Sequence, residues 1–139
     1  MGVVSPVGIG VQVMWQNIIE GCSGIGPITH VEASDFPCQI AGQADDFDGE
    51  TALGSRVVRR TDRYVQMAMV AAREAMSDSG LELNDNLRGR TGCFVGSGIG
   101  GIETLSSQYD VLNERGTRRV SPFLVPMMIA NMAAGQVAI

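Results

Sequence analysis

Between Gly96 and Gly101 the chain places four glycines in six residues, Gly96–Ser97–Gly98–Ile99–Gly100–Gly101, behind an apolar run and ahead of an amphipathic one. Such a segment continues neither a helix nor a strand; it makes a turn whose bare backbone passes close to a neighbouring chain or a ligand. Before it, Thr91 to Val95 reads as a short buried strand. After it, Ile102, Leu105, Tyr109 and Leu112 recur at helical spacing until Gly116. A strand feeding a glycine turn and then a helix is the unit of an α/β protein.

The remaining elements follow the same logic. Ser5–Pro6 and Gly8 are turn signals, and Val11, Met14, Trp15 and Ile18 then predict a short amphipathic helix closed by Gly21. Cys22 to Phe36 reads as loop, with a possible strand alternation at Cys38, Ile40 and Gly42. Thr61 or Asp62 caps a long helix with an apolar stripe of Val65, Ala68, Met69, Ala72 and Met76. Arg63, Gln66, Arg73, Glu74 and Asp78 are expected to face outward, and Gly80 ends the helix. Finally, Pro126 fits the first turn of a helix running through Met127, Ile129, Ala130 and Ala133.

Composition narrows the function classes. The chain has 139 residues, 45% of them hydrophobic, which argues against disorder, and no apolar run approaches the roughly 18 residues of a membrane span. No basic leader precedes an apolar segment, so the reading is a cytoplasmic protein. All ten basic residues are arginine, which leaves no lysine for a Schiff base or general base. Cys22, Cys38 and Cys93 form no CxxC pair and no metal-like cluster with the lone His30. No metal site, zinc framework or disulfide is proposed, and all three thiols read as structural. His30 reads as a surface or loop-bracing residue. The six acids between Glu32 and Glu50 read as a solvated loop, because EF-hand spacing is absent.

Two features suggest binding. Gly96, Gly98 and Gly101 satisfy GxGxxG, with Asp110 and Glu114 as late acidic candidates for a ribose. Yet Thr117 to Val120 carries arginines where that acid belongs, so no nucleotide or other cofactor is assigned. Arg56, Arg59 and Arg60 precede the long helix and crowd the positive end of its dipole, where each cation costs about 0.3–1 kcal/mol unless solvent or an anionic partner compensates. Arg118 and Arg119 form a second cluster. In a chain of net charge −5 without a broad basic face, these suit an acidic protein partner better than nucleic acid.

Five runs occur in a fixed order: Ser5–Pro6–Val7–Gly8; Asp78–Ser79–Gly80–Leu81; the glycine loop; Ser121–Pro122–Phe123 with Val125–Pro126; and Asn131–Met132–Ala133–Ala134–Gly135. In this the chain closely resembles the N-terminal portion of the β-ketoacyl-[acyl-carrier-protein] synthases, those of type II in particular; polyketide ketosynthase domains are related. The resemblance implies an incomplete N-terminal part of a thiolase-like fold, layered α-β-α-β-α, in an enzyme that works as a homodimer. Its reaction moves an acyl group from carrier protein to a cysteine and condenses it with malonyl-carrier protein as carbon dioxide leaves. It implies further that residues 1–139 are a partial ketoacyl-synthase domain lacking the first core strand and everything from the nucleophile onward. No catalytic residue is named in this chain.

Resemblance also assigns sites. Ile99, flanked by Gly98 and Gly100, matches a pocket isoleucine limiting acyl-chain length, and Phe123 and Leu124 match the segment that the partner subunit contributes near the acyl pocket. Leu124 stands where the family often has a second aromatic. Arg56, Arg59, Arg60, Arg118 and Arg119 match basic positions that dock acyl carrier protein, in its acyl and malonyl forms. Alternative readings are a polyketide ketosynthase domain, a non-catalytic carrier-protein-binding module, and a small nucleotide-binding domain. Neither nucleic acid nor a membrane is an expected partner.

Overall fold

The computed structural model describes every residue from Met1 to Ile139. Its N-terminus is a tight antiparallel ribbon, β1 (Val4–Ser5) with β2 (Gly8–Ile9), in which Val4 faces Ile9 and Ser5 faces Gly8. Helix α1 (Val11–Ile19) follows at once, as the Val11, Met14, Trp15 and Ile18 spacing predicts. A second ribbon pairs β3 (Ile25–Pro27) with β4 (Ile40–Gly42). The strand expected near Ile40 is therefore present. Its partner lies inside Cys22–Phe36, which the sequence presents as loop; Pro27 and two glycines hide a strand of only three residues.

Two short helices, α2 (Gly49–Leu53) and α3 (Ser55–Val58), lead into the long α4 (Arg63–Ser79). Both ends of α4 form as local chemistry dictates. Asp62 accepts the Tyr64 N–H at 3.2 Å to cap the start, and Gly80 takes the left-handed conformation, φ 63°, to stop it. After α5 (Asp85–Arg88) and the glycine loop, α6 (Ile102–Arg115) runs to Gly116. A single 3-10 turn, Thr117–Arg119, precedes α7 (Leu124–Met128) and α8 (Met132–Ala138).

The last two elements correct the expectation of one continuous helix. Ile129 adopts extended backbone at ψ 134°, so the helix breaks at Ile129–Asn131 with no glycine or proline to announce it. The break has a use, because its carbonyls bind other segments. A second correction concerns Thr91–Val95: the segment pairs with no other strand, and Phe94 is 97% exposed. A helix closes its hydrogen bonds within itself, whereas a strand depends on neighbours, and no other segment of these residues supplies an edge. Both sheets present are antiparallel ribbons.

The core lies where α4 meets α8, with Val65 and Ala133 at 1% and 0% exposure. It is thin, since only 11 of 139 residues are buried, and Trp15, Ile99, Ile102, Tyr109 and Val125 all stand in solvent. Three residues expected on the outer face of α4 instead turn inward. Gln66 is buried and donates to the Thr61 carbonyl at 2.8 Å. Arg63 donates to the carbonyls of Ala44 and Phe47 and stacks on the Phe47 ring. Glu74 accepts the N–H groups of Val11 and Val3, at 2.7 and 2.8 Å, tying the N-terminal ribbon and α1 to α4. Those two backbone hydrogen bonds, Val11's foremost, hold its carboxyl below the usual glutamate value.

Candidate functional site

The glycine loop is the centre of the arrangement. Ser97 folds back so that its Oγ accepts the Gly100 N–H at 2.9 Å, and the Gly101 N–H reaches across to the Met128 carbonyl, also at 2.9 Å. Glycine is required at the crossing. Gly100 has φ +84°, and a Cβ there would lie 2.4 Å from the Met128 carbonyl oxygen. At Gly101 it would lie 2.4 Å from that of Met127 and 2.9 Å from Asp62 Oδ2. The close approach read from the glycines is thus made to the backbone at the end of α7. One step earlier the loop is open: Gly98 has no atom within reach of a Cβ, and Ile99 is 70% exposed.

Asp62 makes the crossing rigid. Besides capping α4 through Oδ1, it accepts both the N–H and the hydroxyl of Thr104 with Oδ2, at 3.0 and 2.6 Å, and so caps α6 as well. The carboxylate is 6% exposed and Thr104 7%. Two residues on, the Tyr64 hydroxyl donates to the Ile129 carbonyl at 2.6 Å and holds the α7–α8 break. Burial foremost, then the neighbouring Asp62 charge, raises this phenol above its ordinary 10.0. The double role of Asp62 has no sequence signal, because Thr104 lies 42 residues away. Its local half, the cap of α4, is legible.

This geometry bears on the nucleotide reading. A dinucleotide fingerprint offers a pyrophosphate the free N–H groups at a helix start. Here the Thr104 and Gly101 N–H groups are engaged, and a buried carboxylate already stands at the start of α6. An added phosphate would meet negative charge. Of the GxGxxG glycines, Gly101 serves packing while Gly96 and Gly98 have open space beside them, and Asp110 and Glu114 lie on exposed turns of α6.

The other expected residues fall into two groups. Phe123 and Leu124 stand at the start of α7, whose far end carries the Met128 carbonyl that the Gly101 N–H engages, so the glycine loop and α7 form one packed unit. The Arg60 guanidinium stacks over the Phe123 ring, 5.3 Å from its centroid, which brings a member of the first arginine cluster onto this unit. Arg56 and Arg59 are exposed on α3, and Arg118 and Arg119 are exposed on the 3-10 turn. Arg59 caps the C-terminus of the four-residue α3, a negative helix end that favours a cation, while Arg59 and Arg60 also precede the start of α4.

His30 pairs with Asp45 at 2.7 Å and braces the loop between the strands of the second ribbon, helped by Gln43 bonding to Thr29. Within the acidic stretch, Asp48 caps α2, its carboxyl lowered chiefly by the Thr51 hydroxyl. Glu32 is lowered chiefly by the Ser34 N–H. Cys22 and Cys38 are exposed, and Cys93 is half-buried beside Phe94 and Met76.

Residues 1–139 match the family model described as the N-terminal domain of beta-ketoacyl synthase. The chain belongs to that family. The 3-oxoacyl-[acyl-carrier-protein] synthase 2 of Coxiella burnetii is 48% identical over all 139 residues, and its counterpart in Staphylococcus aureus 45%. Each alignment takes in 100% of this chain and 34% of the relative, so the chain spans about a third of the length of these synthases. Among solved structures, the ishigamide ketosynthase/chain length factor superposes with a TM-score of 0.78 at 24% identity, over 99% of this chain and 34% of that one. The ketosynthase of the complex AntDE:AntF, a type II polyketide system whose acyl-carrier protein is bound, gives 0.73 at 20%, over 99% and 35%. These likenesses establish the fold, that of a thiolase-like ketosynthase over about a third of its length.

Proposed function

We propose that this chain supplies the N-terminal part of a 3-oxoacyl-[acyl-carrier-protein] synthase of type II, a cytoplasmic homodimeric acyltransferase of fatty-acid elongation. The observation that carries the reading is 48% identity over every residue to a synthase 2, with the glycine loop and its α7 contact intact. In the reaction, a cysteine thiolate takes the acyl group from carrier protein and releases the carrier thiol. Malonyl-carrier protein then loses carbon dioxide, and the carbanion equivalent left behind attacks the acyl thioester. A carbon–carbon bond forms, the cysteine–acyl bond breaks, and the cysteine leaves as thiolate. On this reading the reacting cysteine, histidines and lysine belong to the two thirds of such a synthase that residues 1–139 do not match, and these residues alone supply a partial domain without activity.

This chain's part is to shape the site. Gly98, Ile99 and Gly100 form one wall of the acyl pocket, and Phe123 and Leu124, at the start of α7, reach the pocket of the other subunit of the dimer. Arg56, Arg59, Arg60, Arg118 and Arg119 present permanent cations to acyl carrier protein, an acidic partner. No helix is long and apolar enough to cross a membrane, which accords with a carrier protein as the source of acyl groups. The polyketide alternative rests on structures of 20–24% identity, against 45–48% for the fatty-acid synthases.

The test is a hybrid enzyme in which residues 1–139 replace the matching third of the Coxiella burnetii synthase. Condensation of acyl- with malonyl-carrier protein, with release of labelled carbon dioxide, is expected. A folded, dimeric hybrid that forms no 3-oxoacyl product would overturn the reading.

A further inference from the structure

The glycine loop has almost nothing of its own to hold its shape, since apart from Ser97 and the outward Ile99 it is bare backbone. Its position is set from outside, by the first turn of α4. Asp62 Oδ2 takes two hydrogen bonds from Thr104 at the start of α6, and Tyr64 takes hold of the Ile129 carbonyl at the α7–α8 break. The Gly101 N–H to Met128 carbonyl bond joins the two sides. All three contacts of the Asp62 side chain are with donors, one at Oδ1 and two at Oδ2, so both oxygens are engaged as acceptors.

We infer that Asp62 is a positioning residue of the acyl pocket: by capping α4 and α6 together it fixes where Gly98–Ile99–Gly100 stand, and so which acyl lengths fit. The inference rests on the acyl-pocket reading proposed above. An amide in its place keeps the shape but turns one acceptor into a donor. Whichever way it rotates, it loses either the Tyr64 N–H or the Thr104 N–H, and one helix start is released. Losing the Thr104 side tilts α6 and lets Ile99 drift, without touching any group that reacts.

The test uses the same hybrid, comparing hexanoyl- and myristoyl-carrier protein as substrates for Asp62→Asn, Thr104→Val and Thr104→Ser. Asp62→Asn and Thr104→Val are expected to change the ratio of kcat/KM for the two substrates by about tenfold, mainly through KM. Thr104→Ser, which keeps the hydroxyl, retains the parental ratio. Equal losses for both substrates, tracking a fall in Tm, would reduce Asp62 to a structural cap and overturn the inference. Thr104→Val keeps the test open if Asp62→Asn does not fold. Amide hydrogen exchange on the hybrid needs folding but no turnover. Gly101 and Thr104 should exchange about tenfold faster in Asp62→Ala, which removes both acceptors, while the middle of α4 is unchanged, and unaltered exchange at both positions would also overturn it. A folded but inactive parent hybrid therefore counts against the proposed reaction, and the exchange result still decides the role of Asp62.

Discussion

Gly101 and Ile99 are two residues apart, yet they belong to different worlds. Around Gly101 the chain is closed, with backbone of α7, the Asp62 carboxylate and the start of α6 meeting at distances that exclude even a methyl group. At Ile99 it is open, and the side chain stands 70% exposed. The contrast separates two uses of glycine in one loop. One pair of glycines lets segments cross, and the other leaves room beside a branched side chain. On the proposed function, residues that carry the fold and the residue that limits acyl length are thus neighbours in sequence.

The strongest way to break this comparison is to ask whether the closed half suffices alone. With so few buried residues and so much apolar rim, the isolated chain should be poorly soluble or melt without a cooperative transition, while the hybrid melts sharply. A monomeric, cooperative circular-dichroism melt of the chain by itself would refute that. Within the hybrid, Gly101→Ala should cost about 3 kcal/mol in chemical denaturation, because the added carbon meets backbone that cannot step aside. By contrast, Ile99→Trp should leave stability within about 0.5 kcal/mol and act on selectivity, depressing turnover of long acyl chains more than short ones. Reversing Arg59 and Arg60 to glutamate should weaken acyl-carrier-protein binding at low salt by about 1–2 kcal/mol, an effect that shrinks as salt rises; unchanged affinity in calorimetry would remove them from the docking surface. The smallest effect concerns the N-terminal ribbon. Glu74's lowered value means that its contribution is complete above the ordinary 4.5 and fades as pH falls through the depressed folded value. Glu74→Gln should flatten that acid limb of the stability curve.

Where physical causes were local, the sequence was readable. Asp62 and Gly80 bound α4 because a cap needs only its own turn, and the spacing of Val11 to Ile18 and of Ile102 to Leu112 marks helices because a helix satisfies itself. Orientation was less legible. A helical wheel sends Arg63, Gln66 and Glu74 outward, but the loop at Ala44–Phe47, the Thr61 carbonyl and the N-terminal ribbon stand there with unmet backbone groups and draw them in. The strand at Thr91–Val95 needs an edge that no local pattern can promise. The break at Ile129 is stabilised by Tyr64 from 65 residues away and leaves no mark in its own composition. Of the site, the glycine turn was visible and the carboxylate behind it was not.

One consequence of the doubly used carboxylate concerns time. The α4 half of its work spans two residues, whereas the α6 half must close a loop of 42. Short closures are entropically cheaper and come first. On refolding, α4 is expected to form while the glycine turn is still unsettled, leaving the selective wall among the last parts of this chain to take its final shape.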